Sequence, residues 1–233
     1  MNGKKILVVV TNTSRYPEMD RPTGLWLGEA VHFVDTVEKA GCQVDFVSPQ
    51  GGYTPIDPMS LGEMALPIDW EYYEDHKFMN RLGNTLPAPS VDPADYSAIY
   101  FAGGHGVIWD FPGNKYLQAI SREIYEAGGV VSSVCHGAVG LLNIQLSDGS
   151  YLVSEREVTG FSNEEEELAQ LADHVPYLTE EELVKRGANY QKAEQPFTPF
   201  AVTSDRLVTG QNPQSGHAVA EGVFALLGQA AEV

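Results

Sequence analysis

Residues 128–142 read GGVVSSVCHGAVGLL. Two glycines lead into a short apolar run, which stops at a cysteine. A histidine follows at once, then a glycine, and from there the pattern turns helical. A brief, continuous, β-branched run is the mark of a strand buried on both faces. Cys135 therefore lies at the carboxyl end of a strand, where the working groups of a parallel α/β sheet collect. A cysteine on a sharp strand-to-helix turn is held exposed, and Gly137 gives that turn room. A helix N-terminus behind the thiol favours the thiolate, so a lowered pKa is expected. The other cysteine, Cys42, begins a strand far from any polar cluster and reads as packing.

The flanking sequence repeats the same alternation. KKILVVVTN (4–12) is a buried strand, and GLWLGEAVHFVDTVEKA (24–40) a helix whose Leu27, Ala30, Val31, Val34 and Val37 form one stripe. Gly41 stops it, and CQVDFVS (42–48) is the next strand. YSAIYFAGGHG (96–106) is a strand ending in a glycine cluster, and NKYLQAISREIYEAGG (114–129) an amphipathic helix. Beyond Cys135 come REVTGFS, a helix from SNEEEELAQLA, a helix at TEEELVKRG, the strands FAVT and RLVTG, and a last helix in NPQSGHAVAEGVFALL. Strands alternating with helices imply right-handed crossovers, hence a mainly parallel sheet in a three-layer α/β/α sandwich of flavodoxin-like type. Residues 1–233 are expected to form one domain. The exception to the alternation is 49–95, whose prolines, acids and aromatics predict a loop-rich excursion with little regular structure.

Composition narrows the function classes. Fourteen Lys plus Arg against 32 Asp plus Glu gives a formal charge of −18, which repels phosphate backbones and anionic lipid, so no nucleic acid and no membrane are expected as partners. Apolar content of 43% suffices for a core and excludes a disordered chain. Two cysteines make no disulfide framework. The apolar run ILVVV after the N-terminal lysines is far short of the roughly 7–15 residues of a signal-peptide core, and no run reaches the roughly 18 of a membrane span. A cytoplasmic location is expected.

Three further features stand near Cys135 in chemical character. Glu29 lies on a helix whose positions Leu25, Trp26 and Phe33 add a second apolar face, so the carboxyl is expected to be buried with a raised pKa, able to exchange a proton near neutral pH. The glycine loop AGGHG (102–106) offers Gly103, Gly104 and His105 at a strand end, with the Gly104 N–H as an oxyanion donor beside the N–H of His136. In SNEEEEL, Ser162 and Glu165 have capping-box spacing, and one of the four glutamates is a candidate to orient His136. His105 has a place in a pocket wall and His217 in the last helix. The six histidines are scattered without short ligand spacing, so no metal site is expected.

With these residues in view, the sequence resembles the ThiJ/PfpI superfamily, whose fold is similar to class I glutamine amidotransferases, and within it the stress-associated glyoxalase III branch. The resemblance rests on TGLWLGEAVHFVDTVEKAG, VDFVSPQGG, DPMSL, FAGGHGVIWDFP, EIYEAGGVVSSVCHG, VTGFSNEEE and LVTGQNPQS, which together span nearly the whole chain. It implies Cys135 as nucleophile, Glu29 as the acid beside it, His136 as the nucleophile's partner, oxyanion N–H groups from Gly104 and His136, and a third acid at Glu166, with Glu165 one step away.

The activity so implied is conversion of methylglyoxal to lactate through a cysteine hemithioacetal, with neither cofactor nor glutathione. Repair of carbonyl-damaged amines or thiols would use the same nucleophile. Two other readings stay open. One is a cysteine amidase or peptidase, which needs His136 oriented by an acid near 166. The other is a non-catalytic stress holdase or redox sensor, in which an accessible cysteine oxidises. A small reactive carbonyl is the expected substrate, and a homodimer is implied by the resemblance alone.

Overall fold

The computed structural model describes residues 3–229; the ends of the expected 1–233 unit, 1–2 and 230–233, lie outside them. The strands are β1 (Lys5–Val9), β2 (Gln43–Ser48), β3 (Leu86–Pro87), β4 (Ala98–Phe101), β5 (Val130–Val134), β6 (Glu157–Val158), β7 (Asn189–Tyr190), β8 (Ala201–Ser204) and β9 (Leu207–Gly210). The helices are α1 (Leu27–Lys39), α2 (Pro67–Glu74), α3 (His76–Gly83), α4 (Val107–Asp110), α5 (Lys115–Glu126), α6 (Asn163–Leu168), α7 (Thr179–Lys185) and α8 (Gly216–Gln229).

Seven strands pair in the order β3-β2-β1-β4-β5-β9-β8, with β6 and β7 as a separate pair. All neighbours in the large sheet run parallel except β8 and β9. Successive side chains of a strand face opposite sides, and β1 shows the consequence. Ile6, Val8 and Val10 join a core with Phe33 and Val34 of α1, Phe78 of α3 and Val219 and Val223 of α8. Leu7 and Val9 join another with Leu117, Ile120 and Ile124 of α5 and Leu183 of α7. Helices thus cover both faces, giving three layers.

The expectation of little regular structure over 49–95 is corrected: α2, α3, β3 and three 3-10 turns occupy much of it. Pro67 begins α2, where a missing N–H costs nothing, and the Asp69 carboxylate accepts the N–H of Leu66. In α3, Phe78 and Leu82 are buried, and Phe78 packs edge-on to Phe46 of β2. Each helix spans only eight residues, too few for a hydrophobic period to stand out between prolines.

Sheet order places β1 between β2 and β4, so the chain leaves β1 in opposite directions along the sheet. Loops at such a switch point diverge and open a crevice beyond the carboxyl ends. The segments after β4 and β5 both reach it.

Candidate active site

Cys135 follows the last residue of β5 and has φ of 56°. A non-glycine residue in that region is strained, and a cysteine is held there only because its surroundings over-determine it. The turn continues as a 3-10 helix over Cys135–Leu141, not as an α-helix. Gly137 is required, since a β-carbon there would run into the Phe101 carbonyl of β4. The elbow is thus pressed against the neighbouring strand.

Glu29 stands in the first turn of α1, fully buried. Its Oε2 accepts the N–H of Gly103 at 2.6 Å, and its backbone carbonyl accepts the Tyr100 hydroxyl at 2.9 Å. Burial pushes the carboxyl up to about 8, while hydrogen bonds from the Cys135 side chain and the Gly103 N–H pull the other way. The apolar helix therefore sets a proton-exchanging acid against the thiol.

The thiol departs from expectation. Cys135 is 2% exposed, and burial, followed by the charge of Glu29, raises its pKa; the N–H of His136 lowers it only in part. The expected lowering by a helix N-terminus is corrected, because the helix here is a short 3-10 turn and the thiol lies in the core between β5 and α1. Thiol and carboxyl each resist ionisation beside the other, so the pair holds a proton between them.

On the opposite side stands His136. Its Nδ1 is 3.4 Å from Cys135 Sγ, and its Nε2 is 2.6 Å from Glu166 Oε2. The second oxygen of Glu166 lies 2.7 Å from His105 Nε2. A carboxylate only accepts, so both rings donate to Glu166 from Nε2, which leaves Nδ1 of His136 on the side of the thiol. Burial alone would raise Glu166, but the two imidazoles outweigh it and hold the carboxyl well below its usual range. His105 is lowered, first by burial and then by the charge of His136.

Glu165, the other candidate, points elsewhere. Its Oε2 accepts from the N–H and hydroxyl of Ser162 in a capping box, and its Oε1 from the Phe197 N–H and Asn212 Nδ2. Glu166 is the residue that touches His136. Both acids are buried, whereas Glu164 and Glu167 of the same run are exposed.

The structure thus brings Cys135, Glu29, His136, Gly103, Gly104, His105 and Glu166 to one place. Gly103 spends its N–H on Glu29 and offers none to a substrate. Gly104 has φ of 101°, and a β-carbon there would meet the Gly24 carbonyl, so only glycine fits. Among the described residues no protein acceptor takes its N–H.

Scattered in sequence, His105, His136 and Glu166 offer ligand atoms within 4.8 Å of one another, so the expectation that histidines without short spacing hold no metal cluster is corrected at the level of geometry. They arrive from the loop after β4, the 3-10 turn after β5 and the helix α6, which spacing along the chain does not register. As placed, both carboxylate oxygens are engaged by the two rings, and the trio is a hydrogen-bonded chain.

Above the thiol is a cavity of about 140 Å³, walled by Trp26, Met59, Met64, Phe161, Leu171 and Phe197 as well as Cys135, His136, Gly104 and His105. The apolar walls had no signal in the sequence, since they come from separate segments; Trp26, three residues before Glu29, was the one within reach. Phe161 lies tilted over His136 with ring centroids 4.3 Å apart.

A model of the DJ-1/PfpI family matches residues 24–225. Glyoxalase 3 of Candida albicans is 32% identical over 95% of this chain and 97% of its own length. A glutathione-independent glyoxalase of Saccharomyces cerevisiae is 33% identical over 94% of this chain and 96% of its own. The crystal structure of the rapid encystment protein of Francisella tularensis superposes with a TM-score of 0.92 at 34% identity, covering 96% of this chain and 99% of that one.

Proposed function

Because this chain belongs to the DJ-1/PfpI family, with glutathione-independent glyoxalases among its full-length relatives, we propose that it is itself such a glyoxalase, an enzyme converting methylglyoxal to lactate. The observation that carries the reading is the buried Glu29 carboxyl, raised to about 8 and set against the Cys135 thiol. A carboxyl poised near neutral pH suits a reaction whose central step moves a proton between adjacent carbons.

The Cys135 sulfur adds to the aldehyde carbon, its proton passing to Glu29 and on to the carbonyl oxygen. The hemithioacetal so formed keeps the C1 hydrogen. Glu29 carboxylate removes that proton, an enediol forms, and the proton returns to C2, leaving a lactoyl thioester on Cys135. Water then cleaves the thioester, with His136 Nδ1 as base and Glu166 fixing the ring. The Gly104 and His136 N–H groups are the proposed donors to the developing oxyanion. With the thiol pKa raised, proton transfer accompanies attack.

The test is lactate formation from methylglyoxal with neither glutathione nor added metal, for the natural chain and Glu29→Gln. Loss in the folded variant supports the proton shuttle; no turnover by the natural chain overturns the reading.

A second reading has one observation in its favour: the chain Cys135–His136–Glu166 has the order of a cysteine hydrolase triad. An amidase or peptidase would depend on Glu166 more than on Glu29, so the two variants separate the readings.

The proposal further takes 1–233 as one catalytic domain acting as a cytoplasmic homodimer. Packing of α8 on α1 supports the single domain, and exposed Met59, Met64, Leu66, Trp70 and Tyr73 support a contact between copies. Among the described residues no helix is long and apolar enough to cross a membrane. Light scattering in solution tests the dimer.

A further inference from the structure

A second cavity, of about 400 Å³, adjoins the one above Cys135 and shares Trp26, Met64 and Pro213 with it as a common wall. A three-carbon dicarbonyl uses only the smaller space, and the larger one has a different chemistry. It is bordered by His32, Glu63, Asp69, Gln214 and His217.

Four polar atoms in this border are buried without a hydrogen bond: Asp69 Oδ1, Gln214 Oε1 and both ring nitrogens of His32. Asp69 and His32 are only 2% and 6% exposed. His32 Nε2 lies 2.9 Å from Asp69 Oδ1, yet the two are out of alignment for a hydrogen bond and both count among the unpartnered atoms. Buried polar atoms are almost always satisfied, and those that are not point to a missing donor or acceptor. Asp69 is held in place: its Oδ2 takes the Leu66 N–H at 2.8 Å, and its carboxylate rests against Gly28, where a β-carbon would come within 3.2 Å of it. Gly28 directly precedes Glu29, so adjacent positions of α1 face this carboxylate and the thiol pocket.

The charge of the border is negative. Glu63 and Asp69 supply two acids, and among the described residues neither Lys nor Arg lines the cavity. The two histidines are stacked face to face with centroids 4.8 Å apart, and burial, followed by the neighbouring His32, lowers the pKa of His217. Trp26 lines both cavities and places an aromatic side chain between them, a residue type that attracts cations.

We infer that the second cavity is a subsite for the protonated amine end of an α-oxoaldehyde, whose carbonyl end lies at Cys135. The ammonium group donates to Asp69 Oδ1 and Gln214 Oε1, with the ligand passing along Trp26. This rests on the glyoxalase reading for the carbonyl end alone; recognition of the amine is a separate property of the cavity.

The test compares two isosteric substrates, 4-(dimethylaminomethyl)phenylglyoxal and 4-isobutylphenylglyoxal. The first carries a tertiary ammonium that cannot condense with the aldehyde, and the second is its neutral equivalent. A charge-assisted hydrogen bond predicts a preference of about ten-fold or more in kcat/KM for the cation. The single N–H of this ammonium reaches one acceptor at a time, so Asp69→Asn should reduce that ratio and its combination with Gln214→Leu should abolish it, with the neutral substrate as internal reference for folding. Equal rates in the natural chain overturn the inference, as does a preference that survives both substitutions. If neither substrate turns over, the glyoxalase reading is judged by the methylglyoxal assay alone, and calorimetry decides the subsite. Binding of N,N-dimethylbenzylamine to the natural chain, weakened in Asp69→Asn, supports it, and no binding overturns it.

Discussion

Glu29 reaches from the first turn of α1 to the loop after β4, where its Oε2 accepts the Gly103 N–H at 2.6 Å, and its Oε1 is left without a hydrogen bond of good geometry among the described residues. One oxygen anchors the side chain and the other faces the reacting centre. Glu29→Gln keeps the anchor and removes the base. Lactate formation should fall about 10²- to 10⁴-fold, in kcat far more than in KM. Addition of the thiol to the aldehyde should persist, and mass spectrometry of the trapped adduct checks it.

Gly103 leaves no room for a side chain. A β-carbon there would sit 2.7 Å from Glu29 Oε2 and 2.9 Å from both the Gly137 nitrogen and the Val134 carbonyl oxygen. Two of these are backbone atoms of the elbow and cannot turn aside. Gly103→Ala should cost about 1–3 kcal/mol in urea unfolding and displace the carboxylate, with an activity loss approaching that of Glu29→Gln. A fully active alanine variant would show that Glu29 has no fixed position to lose.

Glu166 holds two imidazoles with one carboxylate, 2.6 Å from His136 and 2.7 Å from His105. Glu166→Gln replaces one acceptor with an N–H donor that meets a ring N–H. One ring must then change tautomer or turn, at a cost of about 1–3 kcal/mol. If His136 is the ring that suffers, thioester hydrolysis slows and the lactoyl enzyme accumulates. Rapid-quench kinetics should then show a burst absent from the natural chain.

The raised carboxyl also leaves a mark on stability. The folded pKa of Glu29, about 8, lies above the 4.5 of the unfolded chain, so between these values the native state holds a proton that the unfolded state has released. The contribution to stability is present below about pH 4.5 and is lost as the pH rises towards 8, with a slope of at most about 1.4 kcal/mol per pH unit. Glu29→Gln, which cannot ionise, should flatten this part of the profile and gain stability relative to the natural chain above pH 8. Paired urea titrations from pH 5 to 9 measure it, and parallel profiles would contradict the buried-acid assignment.

The parts of the fold that could be read along the chain are those built from local patterns. Apolar runs marked β1, β4 and β5 because a strand buried on two faces needs no polar alternation, and Gly41 before CQVDFVS marked β2. The apolar surroundings of Glu29 within its own helix sufficed to predict burial and a raised pKa. The capping box at Ser162 and Glu165 was legible for the same reason, its partners being three residues apart. Short helices between prolines, α2 and α3, were not, since eight residues carry little more than two turns of pattern.

What the sequence determined by itself was the architecture and the chemical types at the strand ends: a cysteine after β5, glycines after β4 and an acid in α1. Tertiary structure alone decided how they meet. It chose Glu166 over Glu165, because the helical rotation between adjacent residues turns one towards His136 and the other towards Asn212. It brought His105 onto the same carboxylate from 61 residues away. It raised the pKa of Cys135 where the strand-end position suggested lowering, because desolvation and a neighbouring acid depend on three-dimensional packing and outweigh a single turn of 3-10 helix.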